Sequence, residues 1–253
     1  MEAYLDQTIS HGLLIAFRIG GLMTFAPFFS NASIPWRVRA ILTLLITAAL
    51  VPLYGSTPPA GLSPLRAIAG ELAVGFALGL STQFVLEAAN LAGQIMGMQV
   101  GYSLVNLIDP TTEVDTPVLS VFHQLMAVLL FLDFNGHHWM LRTLAKSFEY
   151  MPAGSVTNAI SGTAALMEGA KVIFISGVQL AAPVLAITVL TDVALAFLGR
   201  AVPQLPVLFV GLTLKTWLAF AVVIGSVTLW PRLFSGYFQN AFRFSEHLLH
   251  TWH

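Results

Sequence analysis

The sequence predicts an all-α protein of the integral membrane type, and three observations carry that expectation. Of its 253 residues, 57% are hydrophobic and only 9% are charged, against the roughly 25% charged residues of water-soluble domains. The mean hydropathy is +0.80, and apolar runs approach membrane-spanning length. Two further stretches repeat apolar residues at helical steps of three and four. The solvent of such a chain is the bilayer, or a partner that replaces it. With 11 Lys+Arg against 12 Asp+Glu and a net charge of -1, the basic footprint of a nucleic-acid binder is missing. The absence of cysteine excludes disulfides, thiolate metal sites and cysteine nucleophiles, and says nothing of the compartment.

The first apolar run is Gly12 to Phe29. Before it stand Glu2, Asp6 and Gln7 instead of a basic region, and no small-residue cleavage site follows, so this segment is expected to remain in the mature protein. Ala40 to Leu53 comes next, with 14 residues; at 1.5 Å per residue it reaches roughly 21 Å, short of the about 20 residues that cross a bilayer. Ile68 to Met98 has 31 residues and Gly162 to Leu198 has 37, each too long for one upright pass and too short for two. Irregular or tilted helices are expected there. Val118 to Phe134 lies between them, and Val207 to Trp230 closes the series. Turn-forming residues punctuate the gaps at Ser30 to Pro35, Gly55 to Pro64, Asn106 to Pro117, Pro152 to Ser161 and Arg200 to Pro206.

Two amphipathic helices complete the chain. In His138 to Phe148 the apolar residues are Trp139, Met140, Leu141, Leu144 and Phe148, with Arg142 and Lys146 between them. From Pro231 onward Phe234, Tyr237, Phe238, Ala241, Phe242, Leu249 and Trp252 recur at helical steps, with Arg232 and Arg243 on the polar side.

Charge placement creates a conflict. Arg37/Arg39, Arg142/Lys146 and Arg232/Arg243 are candidates for the cytoplasmic side, whereas the N-terminus and Asn106 to Pro117 carry acids alone. Satisfying both requires Ile68 to Met98 to return to the side it started from. Either charge counting misleads here or the segment turns back inside protein, where irregular backbone is tolerated.

Eight charged residues lie within the apolar runs: Arg18, Glu71, Glu87, Asp133, Glu168, Lys171, Asp192 and Lys215. Each costs about 2.5–3.5 kcal/mol at a helix centre in lipid, so neutralisation at interfaces or in pairs is expected; Glu168 and Lys171 have helical pair spacing. A proton or ion relay through Glu71, Glu87, Asp192 and Lys215 is the rival reading, without a recognisable relay spacing. Gln83, Glu87, Asn90 and Gln94 fall on one stripe of a helix, continued by Gly97 and Gly101. Gly75/Gly79, Gly93/Gly97 and Gly97/Gly101 are small-xxx-small pairs that let backbones approach closely. They serve either packing within the chain or a face for other subunits or a wet conduit.

Searches for chemistry return nothing: no phosphate-binding loop, zinc-protease helix, nucleophile elbow or dinucleotide fingerprint occurs. His137 and His138 are expected to point to different sides of a helix, and His247, His250 and His253 lack a suitable carboxylate for a metal site. No catalytic residue, cofactor or metal is assigned.

The run AGQIMGMQVGYSLVNLIDP from Ala92 to Pro110, then LLFLDFNGHHWML from Leu129 to Leu141, then Ser147, Phe148 and Pro152, resembles the FliR family of flagellar export-gate proteins. That family is related to the SctT (SpaR) proteins of virulence type III secretion. Arg18 and Pro27, Pro35 and Pro52, Glu71/Gly75/Gly79, and GRAVPQLPVLFVGLTLK from Gly199 to Lys215 extend the likeness over essentially the whole chain, in order. Two positions depart from it: Pro206 stands where many relatives have Asn, and Thr213 where many have Pro. The middle N-G-H motif and the length fit the flagellar branch better.

The resemblance implies a non-enzymatic subunit of a closed protein-conducting channel that exports flagellar building blocks. It would assemble with FliP and FliQ, with FlhB and FlhA nearby. Stacked helical hairpins are implied, with residues 1–161 FliP-like and 162–253 FliQ-like within one helical domain. The location implied is the bacterial inner membrane at the flagellar basal body, extending to the periplasmic side. The family's gating loop maps onto Leu104 to Pro117. In it Leu104, Val105, Leu107 and Ile108 would plug the pore, held by Asp109, Pro110 and Pro117. Packing and subunit contacts are expected at Glu71, Gly75, Gly79, Gln83, Glu87, Asn90, Gln94, Gly97, Gly101, Asp192 and Lys215. The alternative is a secondary transporter with its site near Asp192 and Lys215.

Overall fold

A computed structural model describes residues 2–27, 29, 34–54, 63–101, 118–155, 163–204 and 206–251. Among them the regular structure is helical: α1 Glu2–Phe25, α2 Trp36–Tyr54, α3 Pro64–Val100, α4 Val118–Asp133, α5 Gly136–Tyr150, α6 Thr163–Ala201, α7 Val207–Ser226 and α8 Trp230–Thr251, with a single 3-10 turn at Val227–Leu229 joining the last two. The protein is therefore all-α and of the membrane type. Four stretches are long and apolar enough to cross a bilayer: Trp36–Tyr54, Pro64–Val100, Gly169–Ala201 and Phe209–Leu249. The broken pair α4 and α5 passes the same test only when taken together.

The two long apolar runs form continuous helices, which corrects the expectation of irregularity. α3 has 37 residues and α6 has 39, roughly 56 and 58 Å at 1.5 Å per residue, about twice the hydrocarbon thickness. α3 does not turn back. A helix satisfies its own backbone whatever surrounds it, so its length need not match the bilayer where protein provides the surroundings; 61% of the apolar window of α3 is buried. Pro183 inside α6 removes one backbone donor without ending the helix.

Packing divides the chain into two compact units. The first comprises Met1–Phe84, Phe131–Lys171 and Phe238–His253. In it α1 runs against α2, and glycines seat α1 on α3. A β-carbon at Gly75 would lie 2.2 Å from the Arg18 carbonyl oxygen and 2.9 Å from the Leu22 nitrogen, and one at Gly79 would lie 2.8 Å from the Leu22 carbonyl oxygen. Only glycine permits this approach. Ile15, Ile19, Leu22 and Leu144 form the buried centre, flanked by the Phe131–Phe238 and Trp139–Phe242 ring pairs at 5.4 and 5.3 Å.

α5 buries Met140, Leu144 and Phe148 as its spacing predicts, but Trp139 and Leu141 are exposed, and Thr143 and Ser147 take the remaining inner positions. Asn135, with φ 55°, supplies the left-handed residue that separates α4 from α5. Along α8 the aromatic stripe is buried at Phe234, Phe238 and Phe242, while Arg232 and Arg243 face outward, as expected of an amphipathic helix.

The second unit comprises Val85–Leu130 and Val172–Tyr237. Here Gly93 lets α3 meet α4, since its β-carbon would sit 2.3 Å from the Ser120 Cα. Gly177 brings α6 to Ala88 and Leu91 of α3. The outer faces of α6 and α7 carry large exposed apolar side chains, among them Phe174, Leu190, Phe197, Phe209, Trp217 and Ile224. α2 is still barer, with 6% of its apolar window buried.

Candidate functional site

Arg18 and Glu71 form the most buried polar centre of the first unit. Arg18 Nε donates to Glu71 Oε2 at 2.6 Å and Nη2 to Oε1 at 3.1 Å, a bidentate pair with neither side chain accessible. Arg18 Nη1 donates to Ser147 Oγ at 3.0 Å, and that hydroxyl donates to the Leu144 carbonyl at 2.7 Å. The Gly154 backbone N–H donates to Glu71 Oε1 at 2.8 Å. The guanidinium carbon lies 4.2 Å from the centre of the Phe148 ring, within cation–π range. α1, α3, α5 and the turn after α5 are thereby tied at one point. Isolated charges are prohibitive at this depth, but paired and hydrogen-bonded on each side they persist. Glu71 accepts from three donors, and the pair cross-links α1, α3 and the turn after α5.

The stripe on α3 is a hydrogen-bonded ladder. Asn90 Nδ2 donates to Glu87 Oε2, and Gln94 Nε2 to Asn90 Oδ1, each at 3.3 Å. Ser120 Oγ of α4 bonds the Asn90 side chain and also its carbonyl, the latter at 3.3 Å. Gln83, Glu87 and Asn90 are half-buried, Gln94 is exposed and Gly97 is buried. Gly101 follows the end of α3 with φ 99°, a left-handed conformation suited to glycine.

Asp192 of α6 and Lys215 of α7 form an ion pair, with side-chain exposures of 49% and 19%. The structure thus brings these two expected residues together, and brings Glu87, Asn90 and Gln94 together, while Glu71 is joined instead to Arg18. Asp133 and Lys171 are exposed. The side chain of Glu168, the loop Leu104 to Pro117, and the His250 and His253 side chains lie outside the described residues. His137 and His138 correct an expectation: their ring centres are 4.2 Å apart, so they do not diverge. Among the described residues no cluster of three or more metal-ligating side chains occurs.

The Arg18–Glu71 partnership escaped sequence reasoning because pairs are readable only at local spacing. The available signal was one cation and one anion in separate apolar runs, each beside glycine: Gly20-Gly21 after Arg18, and Gly70 and Gly75 around Glu71.

Long apolar helices, a buried ion pair and broad exposed apolar faces define a helical protein of the membrane type. More particularly, the chain belongs to the family of bacterial export proteins, family 1, which matches residues 9–241. It is similar to the flagellar biosynthetic protein FliR of Escherichia coli (strain K12), with 31% identity over 84% of this chain and 82% of that protein. The protein of the same name from Pectobacterium carotovorum subsp. carotovorum is 34% identical over 77% and 75%, and that from Bacillus subtilis (strain 168) 30% identical over 84% of each.

Proposed function

We propose that this chain is a structural, non-catalytic subunit of the flagellar type III protein export gate, acting by assembly into a closed channel for exported flagellar proteins. The observation that carries the reading is the family match over residues 9–241, with relatives named flagellar biosynthetic protein FliR along most of the chain. Its partners on this reading are FliP and FliQ, with FlhB and FlhA adjacent. Its place is the inner membrane at the flagellar basal body, reaching the periplasmic side. The start of α6 at Thr163 supports a boundary between a FliP-like part, 1–161, and a FliQ-like part, 162–253.

Within that assembly the loop Leu104 to Pro117 is the gate, and the α3 stripe with Asp192 and Lys215 serves packing and subunit contact. The half-buried and exposed polar stripe Gln83, Glu87, Asn90 and Gln94 on the apolar helix α3 supports a requirement for protein neighbours, since polar and ionisable groups are costly against lipid. The transporter alternative gains no support from the relatives. The test is co-expression with FliP and FliQ in a motile bacterium whose own copy of this gene is deleted. The chain should co-purify with both and restore swimming. A chain that restores motility without associating with either, or associates with neither and restores nothing, removes the reading.

A further inference from the structure

Four hydroxyl-bearing residues from three helices of the first unit meet around one small cavity: Ser81 and Thr82 of α3, Thr143 of α5 and Ser245 of α8. All four are buried. Leu78, Met140 and Phe242, each one helical turn before a hydroxyl of the same helix, form much of the remaining wall. The space is about 10 Å³, the room that a single water molecule needs and far too little for an organic ligand.

The protons of these hydroxyls are unequally committed. Ser81 Oγ donates to the Leu78 carbonyl at 2.7 Å, and Ser245 Oγ to the Phe242 carbonyl at 2.7 Å. Thr82 Oγ1 donates to the Gly79 carbonyl at 2.8 Å, with a longer contact to Met140 Sδ at 3.9 Å. A hydroxyl has one proton and two lone pairs, so these three oxygens have only lone pairs left to offer. The Thr143 hydroxyl makes no hydrogen bond among the described residues. It is also not one of the unpaired polar atoms sealed from contact, so it opens on the cavity that Thr143 lines. Its proton is free, and a buried polar group without a partner is costly.

We propose that this cavity is the binding site of one structural water molecule, which accepts a hydrogen bond from the Thr143 hydroxyl and donates to two of the oxygens of Ser81, Thr82 and Ser245. Water supplies an acceptor for the one free proton and donors for the lone pairs in a single molecule of the right size. A cation uses lone pairs but not the Thr143 proton, and hydroxyls bring no negative charge to offset its desolvation. The bound water joins α3, α5 and α8 one turn along α5 from Ser147, the hydroxyl that holds Arg18. Between apolar helices such polar bridges act as glue.

The test is a density map of the full chain in its natural assembly, at a resolution that shows ordered water, together with thermal denaturation of the same preparation. One peak is expected at hydrogen-bond distance from Thr143 Oγ1 and from two of the other three hydroxyls. Thr143→Val keeps the shape and removes the donor, so the peak should vanish and the unfolding temperature should fall, while Thr143→Ser should keep both. If the hydroxyl is bare, Thr143→Val relieves a penalty and raises the unfolding temperature. That result overturns the proposal. So does a wild-type map without the peak, which decides the matter even where Thr143→Val does not assemble. Exchanging sodium for choline in the buffer should leave the wild-type unfolding temperature unchanged; stabilisation by sodium that Thr143→Val abolishes would assign the site to a cation and overturn the water.

Discussion

Arg18 and Glu71, 53 positions apart in the chain, meet through two hydrogen bonds in a site from which solvent is excluded. Removing one partner strands a buried charge, at about 3–5 kcal/mol, whereas replacing both with apolar residues of similar volume is often neutral. Arg18→Met and Glu71→Leu are therefore each expected to lower the amount of folded chain in membranes sharply, and the double variant to recover much of it. Protease resistance of the membrane-embedded chain measures this. A double variant no better than the worse single variant would show that the two residues act separately.

Gly75 and Gly20 make a matched comparison. A β-carbon at Gly75 meets backbone atoms of α1 at 2.2 and 2.9 Å, while at Gly20 nothing lies within 4 Å. Gly75→Ala must push α1 from α3, at about 1–3 kcal/mol for overpacking. Gly20→Ala should be neutral or stabilising by roughly 0.4–1 kcal/mol, because a helical glycine loses more backbone freedom on folding. Thermal denaturation of the purified assembly orders the two variants, and the reverse order would contradict the α1–α3 contact.

The Asp192–Lys215 pair distinguishes packing from transport. Asp192→Asn leaves Lys215 without its partner in an apolar hairpin, a loss expected to weaken association with FliP and FliQ and to reduce export in proportion. The exchange Asp192→Lys with Lys215→Asp should restore both. Normal co-purification of Asp192→Asn combined with abolished export would instead favour a proton or ion relay.

Two neutral variants of the α3 ladder separate loss of charge from loss of hydrogen bonds. Glu87→Gln retains shape and hydrogen bonding to Asn90, so it is expected to have little effect, whereas Asn90→Leu removes the contacts with Glu87, Gln94 and Ser120 together. With net values of about 0.5–1.5 kcal/mol per hydrogen bond, Asn90→Leu should lower assembly yield measurably. Equal yields for both variants would leave the ladder without a structural role.

The loop Leu104 to Pro117 is expected to seal the channel by excluding water, so bulk and apolarity should matter more than identity. Replacing Leu104, Leu107 and Ile108 together by Ser should let small ions leak through an assembled complex, while Met at the same positions keeps it closed. Membrane conductance in cells expressing the complex tests this; a tight polar variant would assign the seal to the other subunits.

Helical class, membrane type and family were determined by the sequence alone, because composition, helical period and motif order are properties of the chain itself. The amphipathic stripe of α8, with Phe234, Phe238 and Phe242 buried and Arg232 and Arg243 outside, was legible for that reason. On α5 the same reasoning succeeded for Met140, Leu144 and Phe148 but misplaced Trp139 and Leu141, since a helix has one buried stripe and its neighbours choose where the edges fall. Gly75 was legible as a close-approach glycine; tertiary structure alone decided that the helix it admits is α1, that Glu71 faces Arg18, and that α3 runs unbroken for 37 residues. The physical reason is the same in each case. Which counter-ion a charge finds, or which backbone a missing β-carbon admits, depends on which helices approach within a few ångströms, and that distance is written in no local pattern.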